Sequence, residues 1–213
     1  MAVADRLELV VVRHGLTAWN RERRYQGQRD IPLLLSEARP DMDRLRDFLA
    51  GERFDVVHCS DLTRCRQTLA HVLEGRESEV ETRFDARLRE LDFGDFEGRC
   101  YAELKEMAAY REWIDSQGER APPNGESAAA LRERLAAWLV ELLVAAEAGG
   151  HRRVLAMTHG GVIRELRRRF EAIDFWGGSV GQAQGRRFVF VYRTGGWQCS
   201  SSSAVPAPAS ATR

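Results

Sequence analysis

The sequence predicts an α/β fold built on a mostly parallel sheet, and three observations predict it. Short apolar runs at Leu7 to Val12, Phe54 to Cys59 and Val154 to Met157 have the length and composition of buried strands. Each run passes into a segment carrying helix-start signals, so strands alternate with helices along the chain. The 213 residues suit one domain with a single core.

The first strand ends on Arg13-His14-Gly15, followed by Thr17 and Asn20. The second runs into Ser60-Asp61-Leu62-Thr63-Arg64, a strand-to-helix junction with Ser60 or Asp61 as N-cap. Arg64 then falls in the first helical turn, where its guanidinium and free backbone N–H groups can share one anion. An acidic loop punctuated by glycine, Leu88 to Gly98, comes next. Tyr101, Leu104, Met107, Ala108 and Trp113 have roughly helical spacing. Leu131, Leu135, Trp138, Leu139, Leu142 and Leu143 mark a longer amphipathic helix entered through Asn124-Gly125-Glu126-Ser127. The third apolar strand ends on Thr158-His159 and opens a helix through Gly160 and Gly161. Residues 1–199 are read as the domain, and the Ser/Ala/Pro segment 200–213, which has no periodicity that could bury a face, as a disordered tail.

Open α/β sheets bind ligands at the carboxyl ends of their strands, and here those ends deliver Arg13, His14, Arg64 and His159. A neutral imidazole can attack phosphorus, and a guanidinium offers the fork of donors that phosphoryl oxygens need. Gly15 removes a side chain that would keep the backbone away from an anion. A lone strand-end histidine can equally cap a turn; the matching pieces downstream favour chemistry.

Composition narrows the partners. Lys plus Arg and Asp plus Glu both number 32, so no basic field argues for nucleic acid or a membrane surface. Cys59, Cys65, Cys100 and Cys199 lack metal-ligand or CxxC spacing, as expected of a reduced compartment. No run approaches the ~20 apolar residues of a membrane helix, and Met1 to Arg6 lacks the apolar stretch of a signal peptide, so a cytoplasmic location is expected.

The RHG triplet, the Ser60-x-Leu62-x-Arg64-x-x-x-Thr68 segment, the loop around Glu90 and the Thr158-His159-Gly160-Gly161 segment together resemble the histidine phosphatase superfamily, from about Leu7 to Val191. That family includes cofactor-dependent phosphoglycerate mutase and the broad-specificity and α-ribazole phosphatases. The resemblance implies a three-layer α/β/α sandwich of phosphoglycerate mutase type. It implies that His14 is phosphorylated, that Glu90 donates the proton, and that His159, Arg13, Arg64, Asn20 and the Gly160 backbone hold phosphate. No metal and no cofactor is implied, and the expected partner is a small phosphomonoester bound by a monomer or homodimer.

In such relatives the insertion before the (P)xGES segment roofs the site; here it spans Arg99 to Pro123, and Tyr110 or Trp113 could line a pocket or serve the fold. Mutases carry a longer roof with paired arginines, whereas Arg99, Lys105, Arg111 and Arg120 are scattered, so hydrolysis is expected. A mutase, or a protein that binds a phosphorylated ligand without turning it over, are the alternatives. Residues 34–40 depart from the family pattern near the expected mouth, and His58, His71 and His151 match no motif and are read as structural or exposed.

Overall fold

In the computed structural model, which describes residues 5–174 and 177–206, the alternation of side chains along each strand divides the core in two. From β1 (Arg6–Arg13), Leu7, Leu9 and Val11 enter one apolar cluster and Val10 and Val12 the other. β2 (Val56–Cys59) sends Val56 to the first and Val57 and Cys59 to the second. β4 (Arg153–Thr158) does the same with Val154 and Ala156 against Leu155 and Met157.

One face is covered by α5 (Ala108–Asp115), α6 (Ala128–Gly149) and α7 (Gly160–Phe170), through residues such as Tyr110, Trp113, Trp138 and Leu166. The other is covered by α2 (Leu35–Leu49) and α3 (Thr63–Val72), through Met42, Leu45, Leu49, Leu69 and Val72. Each fully buried aliphatic side chain contributes about 1.5–3 kcal/mol, and both sheet faces collect them. The result is the three-layer α/β/α sandwich expected. Two short helices, α1 (Ala18–Arg21) and α4 (Tyr101–Leu104), lie in the connecting loops.

With β3 (Thr82–Phe84), β5 (Gly185–Arg193) and β6 (Gly196–Val205), the sheet order is β3-β2-β4-β1-β5-β6. The first four strands run parallel and the last two join antiparallel. Register carries the chemistry. Arg13 pairs with Thr158, so the residues that follow, His14 and His159, leave the same edge side by side. Cys59 pairs with Met157, which brings Ser60 to that edge as well.

Two expectations are corrected. Ser200 to Val205 are not a disordered tail: they form the second half of β6, Val205 joins the core, and Ser202 Oγ donates to Glu171 at 2.6 Å. Composition misled because an edge strand is held chiefly by its ladder to β5, which uses backbone N–H and C=O groups that every non-proline residue carries. Residues 207–213 of the expected tail, and Met1 to Ala4, lie outside the described residues. Neither Ser60 nor Asp61 caps α3. The helix begins at Thr63 with Leu62 as N-cap, and Asp30 accepts from the Thr63 N–H and hydroxyl at 2.8 and 2.7 Å. Ser60 and Asp61 are recruited by His159 and Arg89 instead.

Candidate active site

His14 is the first residue beyond β1 and is buried. Its Nδ1 lies 2.7 Å from the Gly15 carbonyl oxygen, which can only accept, so Nδ1 carries the hydrogen and Nε2 keeps its lone pair. Burial, then the guanidinium groups of Arg64 and Arg13, hold the His14 pKa well below the ordinary histidine value. The ring is therefore neutral near pH 7 and fit to act as a nucleophile.

His159, the N-cap of α7, packs edge-on against His14 with ring centroids 5.2 Å apart. Arg64 Nε–H donates to His159 Nδ1 at 3.3 Å, which leaves Nε2–H to donate to Ser60 Oγ at 2.9 Å. Burial, reinforced by Arg64, depresses the His159 pKa far below the usual value too, so His159 is a neutral hydrogen-bonding group and not a second cation. Arg64 is fully buried and also donates to the carbonyls of Gly27 at 2.7 Å and Arg29 at 2.8 Å. The start of α3 is not an open anion nest, because Asp30 occupies the Thr63 N–H.

Glu90 stands across from this group. Its Oε2 accepts from Gly161 N–H at 3.0 Å and its Oε1 from Leu91 N–H at 3.0 Å. A Cβ on Gly161 would lie 2.2 Å from Glu90 Oε1, so glycine there admits the carboxylate. The loop is set from behind by Arg134 of α6. Its guanidinium donates to the carbonyls of Arg87, Arg89 and Glu90 at 2.5, 2.8 and 2.9 Å while paired with Glu126 at 2.7 Å. Glu97 accepts from the N–H groups of Gln28 and Arg29, at 2.7 and 2.9 Å, and thereby joins two loops; Asp92 accepts from Gly94 N–H.

A cavity of about 290 Å³ opens beside these residues. Arg13, Glu90, Gly160, Gly161 and Arg164 form its polar side; Tyr25, Leu91, Phe93, Trp113 and Leu131 form its apolar side. His14, Arg64 and His159 lie buried behind the edge made by Arg13 and Gly160. Arg13 Nη1 donates to the Val180 carbonyl at 2.8 Å, and Gly160 lies against the Arg13 guanidinium, which a Cβ there would meet at an ordinary contact distance of 3.4 Å.

Most of the residues singled out in the sequence converge here, with qualifications. Asn20 caps α1 reciprocally with Thr17, its Oδ1 accepting from Thr17 N–H at 3.3 Å, and it does not line the cavity. Gly15 serves packing: a Cβ would meet Met42 Sδ at 3.1 Å, and its N–H donates to Thr68 Oγ1. Trp113 lines the cavity, whereas Tyr110 is turned toward Tyr25, their hydroxyls 2.7 Å apart. The unusual segment 34–40 forms the start of α2, away from the cavity lining. His58 is structural, accepting from Trp138 Nε1 at 3.2 Å, and His71 bonds Asp43 at 2.8 Å. Burial pushes the Cys59 thiol up and that of Cys65 up to about 12, so neither is a ready nucleophile.

Sequence reasoning missed Arg164, Arg134, Tyr25 and Phe93. For Arg164 a signal existed: it stands four residues after Gly160, one helical turn away on the same face. The others depend on packing between distant segments.

Residues 9–204 match the model of the histidine phosphatase superfamily, branch 1. Phosphoglycerate mutase-like protein 4 of Arabidopsis thaliana is 34% identical over 76% of this chain and 70% of its own length. Fructose-2,6-bisphosphatase TIGAR of Xenopus tropicalis is 37% identical over 61% of this chain, which spans 47% of that relative. Among solved structures, a putative alpha-ribazole-5'-P phosphatase from Escherichia coli superposes with a TM-score of 0.77 at 25% identity, covering 91% of this chain and 94% of the other.

Proposed function

The chain belongs to the histidine phosphatase superfamily, and from that membership we propose that it hydrolyses small phosphomonoesters through a phosphohistidine on His14. The observation that carries the proposal is the His14 ring itself. It is neutral, fixed in one tautomer by the Gly15 carbonyl, and set beside Arg13 and Arg64.

The step begins when the phosphoryl oxygens meet the guanidinium groups of Arg13 and Arg64, which offset the charge spread over the three equatorial oxygens. His14 Nε2 forms the P–N bond as the ester P–O bond breaks, and Glu90 gives its proton to the departing oxygen. Water then attacks phosphorus, losing a proton to Glu90 as the P–N bond breaks, and inorganic phosphate leaves. His159 orients Arg64 through Nδ1 and contributes no formal charge. The cations in this scheme are side chains, so no metal enters it, and excess chelator is expected to leave activity intact. Small phosphomonoesters are the only partners the proposal requires, and the cytoplasm is the compartment proposed for it.

Hydrolysis over phosphoryl transfer between substrates is supported by the roof. Arg99, Lys105, Arg111 and Arg120 all lie outside the cavity lining; Arg111 and Arg120 are paired with Glu106 and Glu112. With 3-phosphoglycerate and its bisphosphate primer, phosphate release is expected to outpace isomerisation.

The deciding experiment is rapid acid quench with a ³²P-labelled phosphomonoester. Acid-labile label on His14 is expected in the parent, and none in His14→Ala, whose turnover falls on the order of 10⁴-fold or more. Label on another residue, or substantial turnover by the variant, would overturn the assignment.

A further inference from the structure

Two groups that must meet one phosphoryl group reach the site from different strands. His14 follows β1, and Arg64 stands in the first turn of the helix that follows β2. A buried hydroxyl joins them. Thr68 of α3, with no exposed surface, donates from Oγ1 to the Arg64 carbonyl at 2.7 Å and accepts at Oγ1 from Gly15 N–H at 2.9 Å. Gly15 in turn accepts from the His14 ring at Nδ1, 2.7 Å away. One chain of hydrogen bonds therefore runs from the nucleophile to the backbone of the arginine beside it.

Each link is directional. The bond from Thr68 to the carbonyl one turn back uses the hydroxyl hydrogen, so Oγ1 offers Gly15 only lone pairs. The threonine side chain is branched at Cβ and stiff at χ1, which holds that oxygen in place. The backbone of His14 has anchors of its own, its N–H donating to the Thr158 carbonyl at 3.0 Å and its carbonyl accepting from Ala183 N–H at 3.3 Å. Its ring depends on the Gly15 carbonyl, and glycine, lacking Cβ, leaves that carbonyl free to swing unless its neighbours hold it. From α2, Met42 Sδ and Ala38 Cβ stand 3.1 and 3.3 Å from where a Cβ on Gly15 would lie. That packing limits approach from one side but aims no polar group. Thr68 supplies the aim from the other side.

We propose that Thr68 is a positioning residue for the nucleophile. Its hydroxyl seats the Gly15 turn against α3 and so sets the tautomer and direction of His14 relative to the phosphoryl group held by Arg64. The inference rests on the phosphohistidine reading for its kinetic consequence and on the hydrogen bonds alone for its geometry.

The test compares Thr68→Val, which keeps the shape and removes both bonds, with Thr68→Ser, which keeps the hydroxyl. Thr68→Val is expected to slow single-turnover labelling of His14 by about 10- to 100-fold, with little change in KM. Alkyl and nitrophenyl phosphates should suffer alike, because the fault lies at the nucleophile and not at the proton donor. Thr68→Ser is expected to label within about threefold of the parent rate. In ¹⁵N spectra the His14 ring should show the Nδ1–H tautomer in the parent and in Thr68→Ser, and both tautomers in Thr68→Val. A merely structural threonine would lower the melting temperature of Thr68→Val while leaving its labelling rate and ring spectrum unchanged, and that result overturns the proposal. So does a Thr68→Ser as slow as Thr68→Val. Should valine prevent folding, Thr68→Ala against Thr68→Ser carries the same measurements. A parent that takes no label on His14, yet whose ring spectrum responds to Thr68→Val and not to Thr68→Ser, would sink the hydrolase and keep the positioning role. Labelling at the parent rate in Thr68→Val would do the reverse.

Discussion

In the buried floor of the site, beside the cavity and outside its lining, Arg64 is bonded at all three of its guanidinium nitrogens, to His159 and to the carbonyls of Gly27 and Arg29, whereas on the cavity wall Arg164 bonds to no described residue. His14 and His159 share the fixed orientation of Arg64, each ring held in a single tautomer, with His14 Nε2 left open for attack. Trp113 Nε1 is unpaired as well. The contrast separates two tasks. Phosphoryl chemistry needs groups whose orientation is settled before the substrate arrives, because preorganised charge loses nothing to rearrangement during reaction. A wall that bounds the cavity makes no such demand.

Glu90 sits on the seam between these regions, and replacing it tests whether it belongs to the floor. Glu90→Gln is expected to slow single-turnover phosphorylation by an alkyl phosphate by ~10²–10⁴-fold. A nitrophenyl phosphate, whose leaving group barely needs a proton, should lose far less. Equal losses on the two substrates would move Glu90 to binding or structure.

Arg134 extends the floor into α6, so its loss should loosen the Glu90 loop without touching the wall. Arg134→Met is expected to lower kcat for alkyl phosphates by up to ~10²-fold through misplaced Glu90. It should also lower stability by about 1–3 kcal/mol, as the carbonyls it served lose their donor. Urea melts and kinetics on both leaving-group classes check this; an unchanged alkyl-to-nitrophenyl ratio would show that Arg134 serves stability alone.

Gly161→Ala is a gentler probe of the same seam. The added methyl collides with the mobile end of Glu90 and not with backbone, so the fold should survive while the carboxylate shifts. A loss of ~10-fold on alkyl phosphates with a nearly unchanged melting temperature is the expected outcome. If the melting temperature collapses instead, the glycine is structural.

The smallest expected effect is a displaced pH profile. Burial and the flanking guanidinium groups lower the pKa of His14 and His159, so both rings stay neutral as pH falls through the ordinary histidine value of ~6.5. The acid limb of kcat/KM that reports His14 is therefore expected below that value. Stability follows the same sign: the unfolded chain takes up these protons near pH 6.5 and the native protein only lower. The advantage of neutral rings is thus complete above that pH and declines as pH drops beneath it. A limb at or above 6.5 would mean that the floor is wetter and less charged than its geometry implies.

The residues of the floor were legible in the sequence because each follows a strand or opens a helix, and such junctions leave local marks. Apolar runs ending on Arg13-His14-Gly15 and Thr158-His159-Gly160 place imidazoles at a sheet edge without any knowledge of the other strands. The resemblance of these motifs to a known family then assigned their roles. What no local pattern contains is pairing between distant segments. The register of Arg13 with Thr158, which sets the two histidines side by side, is a property of the sheet. So is the pairing of Ser201 to Val205 with β5, which composition alone misread as a loose tail. Asp30 capping α3 and Arg134 holding the Glu90 loop join residues 33 and 44 positions apart.

Arg164 marks the boundary between the two kinds of knowledge. Its sequence position puts it on the Gly160 face of α7, but its lack of a partner emerges only when the surrounding carboxylates are seen to be engaged elsewhere. Local sequence determined which groups stand at the strand ends, because strand and helix periodicity is a short-range property of the backbone. Only the tertiary structure decided which of those groups are satisfied and which are not, because hydrogen-bond saturation depends on every segment that reaches the site.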